Sequence, residues 1–317
     1  MRNGTGRSAN HFFEPIRRHL RVTVFSLLAA LTLLASSATR LEAQRSVNQG
    51  FAFRSDGSIR IYNLAGSVKV TAWHRDSVAV TGTIVEPSPG DWFIGGTPDG
   101  AKLGVWSTET ASNVKPSHLE LRVPRNAQVW VKTASAEIVV IDVTGGVDAN
   151  SISGAITVSG NPRELYAESL GGDLTIDAST RALRARTASG DIHIRGQIRD
   201  VTASSVSGNL TIEGDQFERG SFESVDGDIR YIGNVGTASA LDFINHGGAV
   251  EFLLPATAAG DFSISTFYGA FDDQFGVSAT SRQSKLRGTE VSFTIGAGGG
   301  QVTVRNFKGR VVLRKKG

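Results

Sequence analysis

The sequence contains no cysteine, which excludes disulfide bonds, thiolate metal sites and the cysteine-linked anchor of bacterial lipoproteins. Methionine occurs only at position 1 and proline only eight times. Glycine, by contrast, occurs 37 times, and valine, isoleucine and threonine dominate the apolar runs. This composition is typical of β-structure with many tight corners.

The first 43 residues differ from the rest of the chain. Arg17, Arg18 and Arg21 precede an apolar run at 22–35, and small residues follow. The run is shorter than the ~20 residues of a spanning helix. The pattern predicts a secretory signal peptide over residues 1–43, with an uncleaved membrane anchor as the alternative. We therefore expect an exported protein, located in the periplasm or at the cell surface.

The positive net charge of the chain belongs to this leader. The whole chain has 33 basic and 30 acidic residues. Six arginines and two glutamates fall within residues 1–43, which leaves 27 basic and 28 acidic residues in the remainder. A remainder with a net charge of −1 lacks the positive field that neutralises phosphates, so we expect no nucleic-acid partner.

A short phrase recurs every 18 residues in the middle of the chain. It consists of a small polar residue, two variable residues, glycine, a polar residue and an apolar-x-apolar strand. The glycines Gly154, Gly172, Gly190 and Gly208 are spaced by 18, and Gly227, Gly248 and Gly269 follow at spacings of 19, 21 and 21. Self-similarity at a fixed period indicates stacked units that bury their apolar faces against one another.

Apolar residues alternate on both sides of each glycine, which predicts two short strands per repeat. Identical columns stack on themselves in a parallel solenoid, whereas the alternative, an antiparallel meander, would mix them. The sequence thus predicts an all-β fold: a single-stranded β-solenoid, like a parallel β-helix, with ~18-residue coils. We expect glycine corners, and capping strands at both ends because an open end is an unpaired strand edge.

This register makes two further predictions. In two neighbouring strands the inward residues are Ile192, Ile194, Leu210 and Ile212, and the outward residues are His193 and Thr211. At the corners, Gly172 and Gly190 are expected to adopt a positive φ, the conformation that glycine takes up most freely.

We predict four regions along the chain. Residues 1–43 form the signal peptide, and residues 44–125 form an N-terminal capping β-region with a long loop at 86–118, which the sequence allows to be a hairpin. Residues 126–270 form the regular repeats. Residues 271–317 form a loop, at 271–289, and C-terminal closing strands at 291–295, 301–304 and 309–313.

Three segments, 63–73, 78–80 and 121–124, followed by the Ser-x-Ser-Gly-Asp ladder, carry a family resemblance. They resemble the bacterial putative-adhesin family of β-strand-repeat domains, a domain of unknown function, over residues 50–317. The resemblance implies a β-solenoid-like fold on exported or membrane-tethered proteins, some of them linked to cell-envelope stress responses. It implies no catalytic residues.

Two polar columns invite a functional interpretation. Asp173, Asp191 and Asp228 each follow a glycine and could hold Ca²⁺, but aspartate after glycine is also ordinary turn chemistry, which we prefer. The Ser/Thr column three residues before each glycine could supply nucleophiles, but only His246 lies near it. We prefer a hydroxyl ladder that bonds corner backbone groups. We therefore predict no catalytic residue, no metal site and no cofactor.

Arginines and aromatic residues are the candidate binding groups. The six arginines that we expect to form a ligand-binding face are Arg163, Arg181, Arg184, Arg186, Arg195 and Arg199. Like charges on stacked coils repel, so an anionic ligand would relieve the repulsion. The alternative is a solvated charged face. The loop residues Trp92, Phe93 and Trp106 would either stack on a ligand or fold back onto the open end of the solenoid.

These features predict a non-enzymatic, exported cell-envelope protein, an adhesin or a scaffold that binds a surface ligand. The expected partner is an anionic glycan, a lipid headgroup or an envelope protein. Two alternatives stay open. One is an envelope-stress sensor with a regulatory role, and the other is a polysaccharide-acting β-helix enzyme, which would need paired carboxylates in a groove.

Overall fold

The computed structural model describes residues 44–85, 91–106, 114–214, 217–278, 280–283 and 288–316. From Gln44 onward the chain forms one unit. The predicted signal peptide, and residues 86–90 and 107–113 of the predicted loop, lie outside the described residues. Within the described part, no helix is long and apolar enough to cross a membrane.

The described residues contain 27 β-strands in two sheets. Sheet A has 13 strands, in the spatial order β1 (Arg45–Ala52), β4 (Ser77–Ile84), β7 (Ser117–Pro124), β3 (Gly66–Trp73), β9 (Glu137–Ile141), β11 (Ile156–Gly160), β13 (Leu174–Ala178), β15 (Ile192–Arg195), β17 (Leu210–Glu213), β19 (Ile229–Ile232), β21 (Val250–Leu254), β27 (Val311–Lys315) and β23 (Phe271–Asp273). Sheet B has 14 strands, in the spatial order β24 (Thr280–Gln283), β25 (Thr289–Ile295), β22 (Gly260–Thr266), β26 (Gln301–Asn306), β20 (Ala240–Asn245), β18 (Arg219–Ser224), β16 (Ile198–Ser205), β14 (Thr180–Thr187), β12 (Glu164–Ser169), β10 (Gly146–Ser151), β8 (Gln128–Thr133), β2 (Ser58–Asn63), β6 (Gly100–Val105) and β5 (Trp92–Thr97).

Each 18-residue repeat forms one coil, with one strand in each sheet. The strands β10 and β11 form one coil, and β12 and β13 form the next. Pairing is parallel and offset by one repeat, so that Val147 lies opposite Leu165 and Ile156 lies opposite Leu174. The columns of the sequence therefore stack on themselves. This confirms the all-β solenoid and excludes the antiparallel meander for these coils.

The apolar core lies between the two sheets. The predicted inward residues are buried: Ile192, Ile194, Leu210 and Ile212. His193 is exposed, as predicted, and Thr211 is half-buried. Burial of one residue in two along both strands confirms the predicted register.

Core side chains become larger where the repeat lengthens beyond 18 residues. Ala203 is followed in its column by Phe222 and then Phe243. The two phenylalanine rings lie 4.9 Å apart between centroids. The longer coils therefore make room for aromatic side chains, which bury more apolar surface than alanine.

The corner glycines are required by close stacking and not by a positive φ. Gly172 and Gly190 are not among the glycines with positive φ, so that prediction is wrong. A Cβ atom on Gly172 would overlap the carbonyl oxygen of Gly154 in the preceding coil. Positive φ occurs instead at the second corner, where Gly196 has a φ of 131°. The first corner thus requires a residue without a side chain, and the second requires a residue that tolerates a positive φ.

The N-terminal strands extend both sheets beyond the first repeat. β2 pairs in parallel with β8, and β3 with β9. β4 runs antiparallel to β1 and β7 in sheet A, and β5 runs antiparallel to β6 at the edge of sheet B. Much of the described part of the predicted 86–118 loop is therefore the β5–β6 hairpin.

The last two strands of the chain are internal to the sheets. β26 lies between β20 and β22, and β27 lies between β21 and β23. The prediction that 301–304 and 309–313 close the solenoid is therefore wrong. Sheet B ends with the antiparallel strands β25, which contains the predicted closing segment 291–295, and β24. The predicted loop at 271–289 also contains strands.

The reason lies in a further copy of the repeat phrase. Asn306 and Gly309 reproduce the polar-x-x-glycine corner, and the backbone of Gly309 stacks directly on that of Gly248. Gly269 stacks in turn on Gly309. The chain thus leaves a space of one coil after Leu254 and fills it with its own C-terminal strands.

Candidate functional site

The Ser/Thr column is buried, and its hydroxyls are used within the corner. Gly172 donates its N–H to Oγ of Ser169 at 2.9 Å, and that hydroxyl donates to the carbonyl oxygen of Gly154 at 3.2 Å. The same arrangement joins Thr187 to Gly190 and to Gly172. This confirms the hydroxyl ladder. A buried hydroxyl with both functions occupied is not placed to act as a nucleophile.

The aspartates after the glycines bond from coil to coil. Oδ1 of Asp173 accepts the N–H of Asp191 at 2.8 Å, and Oδ1 of Asp191 accepts the N–H of Asn209 at 2.8 Å. Oδ1 of Asp228 accepts the N–H of Ala249 at 2.7 Å. The aspartates therefore accept backbone N–H groups, as the turn interpretation predicts, but each N–H belongs to the following coil and not to the turn of the aspartate itself.

The six predicted arginines are exposed but do not share one face. Arg184 and Arg186 lie on the outer face of sheet B, and Arg195 lies on the outer face of sheet A. The other three lie at or near the corner that leads into sheet B: Arg163, Arg181 and Arg199. The strands before and after that corner belong to different sheets, which separates side chains that are close in sequence.

Two of these arginines are held in ion pairs. Arg195 lies 3.2 Å from a carboxylate oxygen of Asp177, and Arg199 lies 2.7 Å from one of Glu218. Both arginines line a depression of about 660 Å³ at the second corner. Within the described part of the chain, no ion pair engages the remaining four: Arg163, Arg181, Arg184 and Arg186.

Aromatic side chains cluster on the outer face of sheet B near its N-terminal strands. The ring of Tyr62 lies 5.2 Å from that of Trp130 and 5.9 Å from those of Phe93 and Trp106. Trp106 is 50% exposed, whereas Trp92 packs against the core. The loop aromatics therefore divide between the core and this exposed cluster.

A surface depression of about 580 Å³ lies beside the aromatic cluster. We call it the sheet B groove; the side chains and the glycine that define it are Ser58, Arg60, Tyr62, Gln128, Trp130, Gly146, Asp148, Glu164 and Tyr166. Its volume is within the range of small-ligand sites, roughly 300–1,000 Å³. Gly146 lies opposite Glu164 in the register, and its N–H donates a hydrogen bond to Oε1 of Gln128 at 2.9 Å, so the Gln128 side chain occupies the space beside this glycine.

Sequence analysis missed this groove, although one signal for it was present. Trp130, Asp148, Tyr166 and Arg184 are spaced by 18 and form a single outward column. Arg60 joins this column through the pairing of β2 with β8. That pairing spans a long sequence separation outside the regular repeat, so no periodicity pointed to it.

A second overlooked feature is an apolar ridge along the Ser/Thr corner. The residue after the polar column points outward, and the exposed apolar members are Ile152, Leu170, Val206, Val225 and Phe267. In the repeat motif, this position after the polar residue is one of the two variable positions. Its apolar character was the signal that could have revealed the ridge.

The pKa shifts of surface groups follow from structural contacts. The pKa of Arg219 is raised, chiefly because Asp200 accepts a hydrogen bond from its guanidinium. The pKa of Asp261 is lowered, first by the hydroxyl of Thr294 and then by the N–H of Gly299. Arg219 forms an ion pair with Asp200, and Asp261 links β22 to β25 through Thr294. None of these residues lines the sheet B groove.

Comparisons with known proteins relate the chain to solved structures of the same fold. No curated protein matches the chain. A structure described as a putative lipid binding protein from Parabacteroides distasonis matches with a TM-score of 0.50 and 11% identity, over 86% of this chain and 96% of that one. A putative adhesin from Bacteroides fragilis matches with a TM-score of 0.45 and 10% identity, over 86% and 98%. Likeness at such identities concerns the fold alone.

A family model describes most of the solenoid. The Toastrack DUF4097 model matches residues 80–306, from the antiparallel strand β4 to the interior strand β26. The matched segment includes every stacked coil of the regular repeat and the sheet B groove except Ser58, Arg60 and Tyr62. Because the match covers more than half of the chain, the protein belongs to the Toastrack DUF4097 family.

Proposed function

We propose that this protein is an exported, non-catalytic scaffold of the cell envelope that binds its ligand on the outer face of sheet B. One observation carries the proposal. The polar columns that could do chemistry are consumed by coil-to-coil hydrogen bonds, whereas the outer face of sheet B keeps Arg184 and Arg186 exposed. The predicted signal peptide and the family resemblance support export.

The ligand is anionic in this proposal. Arg184 and Arg186 lie two residues apart on one face of β14, with no ion pair to a described residue. Guanidinium groups bind carboxylate and phosphate groups through paired hydrogen bonds. The lipid named for the Parabacteroides distasonis neighbour makes an anionic lipid headgroup one ligand to test, beside an anionic glycan.

A double substitution tests this proposal. R184Q/R186Q should abolish retention of the protein on polygalacturonate beads or on phosphatidylglycerol vesicles and leave the fold intact. The matched control is R195Q/R199Q, which removes the same charge from ion-paired arginines elsewhere on the surface. Added salt should mimic R184Q/R186Q, because exposed charges are screened within about 8–10 Å. Equal retention of both double variants would contradict the proposal.

An enzymatic role has one observation in its favour. Asp148 and Glu164 both line the sheet B groove, and paired carboxylates in a groove are the groups that glycoside hydrolysis uses. In the proposed function these carboxylates bind and do not catalyse. Incubation of the protein with a polysaccharide, followed by measurement of chain length, separates the two roles.

A further inference from the structure

The sheet B groove combines the two kinds of contact that sugars make. Trp130 and Tyr166 offer aromatic faces, on which the C–H face of a sugar ring can stack. Gln128, Asp148 and Glu164 offer amide and carboxylate groups for sugar hydroxyls. A concave site with apolar walls and a few convergent polar groups is typical of small-ligand recognition.

The aromatic walls are aligned along the solenoid axis. Trp130, Asp148, Tyr166 and Arg184 are successive neighbours in the parallel register of sheet B. Adjacent strands lie about 4.8 Å apart, so Trp130 and Tyr166 are separated by roughly 10 Å. That separation suits the first and third of three consecutive sugar rings in an extended chain, with the middle ring above Asp148. The next position beyond Tyr166 is occupied by Arg184.

The mixture of charges favours a glycan over a lipid headgroup. The carboxylates of Asp148 and Glu164 would repel a phosphate but accept hydrogen bonds from hydroxyl groups. Arg184 is exposed and has no ion pair to a described residue, so it can receive one acidic group. Arg60 is also exposed, has no ion pair to a described residue, and lies next to Trp130 at the other end of the column. A ligand that matches this order has neutral sugar hydroxyls in the middle and an acidic group towards each end.

We infer that the sheet B groove binds an extended acidic glycan along the solenoid axis. Two sugar rings stack on Trp130 and Tyr166, hydroxyls of the chain bond Gln128 and Asp148, and acidic groups reach Arg184 at one end and Arg60 at the other. The inference rests on the proposed function and deepens it, since it names the ligand class and adds aromatic residues that the arginine proposal does not need.

Titration with a glucuronoxylan oligosaccharide, in which neutral sugars separate the acidic ones, followed by calorimetry, tests the inference. Trp130→Ala and Tyr166→Ala should each weaken binding by about tenfold, the size expected for loss of an aromatic stacking contact. The matched control is Tyr268→Ala, because Tyr268 is also exposed but lies at the Ser/Thr corner. It should leave the affinity unchanged. Circular dichroism checks the fold, and of the two groove variants Tyr166→Ala is the less able to disturb it, because Tyr166 is 44% exposed.

The outcomes separate this inference from the proposed function. Loss of affinity in both groove variants, but not in Tyr268→Ala, supports the glycan groove. Loss only in R184Q/R186Q, or binding to phosphatidylglycerol vesicles without binding to the glucuronoxylan oligosaccharide, overturns the groove and keeps the anion-binding scaffold. Absence of saturable binding of this oligosaccharide also overturns the groove. Shortening of the oligosaccharide keeps the groove but overturns the non-catalytic part of the proposed function.

Discussion

Two neighbouring glycines at one corner look alike in the sequence but have different structural requirements. A Cβ on Gly172 would overlap the backbone of Gly154, whereas a Cβ on Gly171 would meet nothing closer than 3.7 Å. Neither residue has a positive φ. At the scale of single residues, the repeat therefore requires glycine where the backbones of successive coils lie too close together for a side chain.

This difference predicts opposite effects of the same substitution. Gly172→Ala should lower the free energy of unfolding by ~1–3 kcal/mol or more, because the backbone of a packed corner must shift. Gly171→Ala should be neutral or stabilise by about 0.4–1 kcal/mol, because alanine reduces the entropy of the unfolded chain. Urea unfolding of both variants provides the measurement. Similar destabilisation by both would show that stacking does not explain the glycine column.

The strands of the solenoid alternate between an inward face and an outward face, and the two faces have different tasks. Ile194 is buried between the sheets, and its neighbour His193 is exposed. The same alternation puts Trp130 and Tyr166 outside and their apolar neighbours inside. At the scale of the element, the inward side chains therefore stabilise the fold, and only the outward side chains can contact a ligand.

Adjacent positions in β15 should accordingly respond very differently. Ile194→Ala should cost ~2–4 kcal/mol of unfolding free energy, through lost burial and the cavity that remains. His193→Ala should cost less than about 0.5 kcal/mol, as expected for an exposed position without specific contacts. Denaturant titration compares the two variants. If both were equally destabilising, the register of this strand would be wrong.

At the scale of the whole molecule, the last strands in the sequence lie in the interior of the two sheets. The strands nearest the C-terminus, β26 and β27, each lie between two parallel neighbours, whereas β24 pairs only with β25 at the edge of sheet B. Chain ends and edge strands open more readily than strands with two neighbours. Position in the sheet should therefore govern local stability here, and position in the sequence should not.

Hydrogen exchange measures this directly. Peptides that contain 301–306 should exchange as slowly as those from β18 in the middle of sheet B, and peptides that contain 280–283 should exchange much faster. The comparison needs no substitution, since both segments belong to the same chain. Fast exchange of 301–306 would contradict the insertion of the C-terminal coil.

The candidate site could be predicted only in part. The arginines were found because their density in the sequence is high, but their distribution over three surfaces depends on which strand belongs to which sheet. The groove residues Trp130, Asp148 and Tyr166 share the 18-residue period, so their alignment in one column could be predicted from the sequence. Arg60 and Tyr62 were not, because they reach the groove through a pairing outside the repeat.

The sequence by itself determined the all-β class, the 18-residue coil, the inward columns and the hydroxyl ladder. These properties are local or periodic, so each follows from the spacing of residue types. Only the tertiary structure decided the order of strands at both ends, the insertion of the coil around Gly309 and the shape of the sheet B groove. Those features depend on contacts between distant segments, and many such pairings are compatible with the same local pattern of apolar and polar residues.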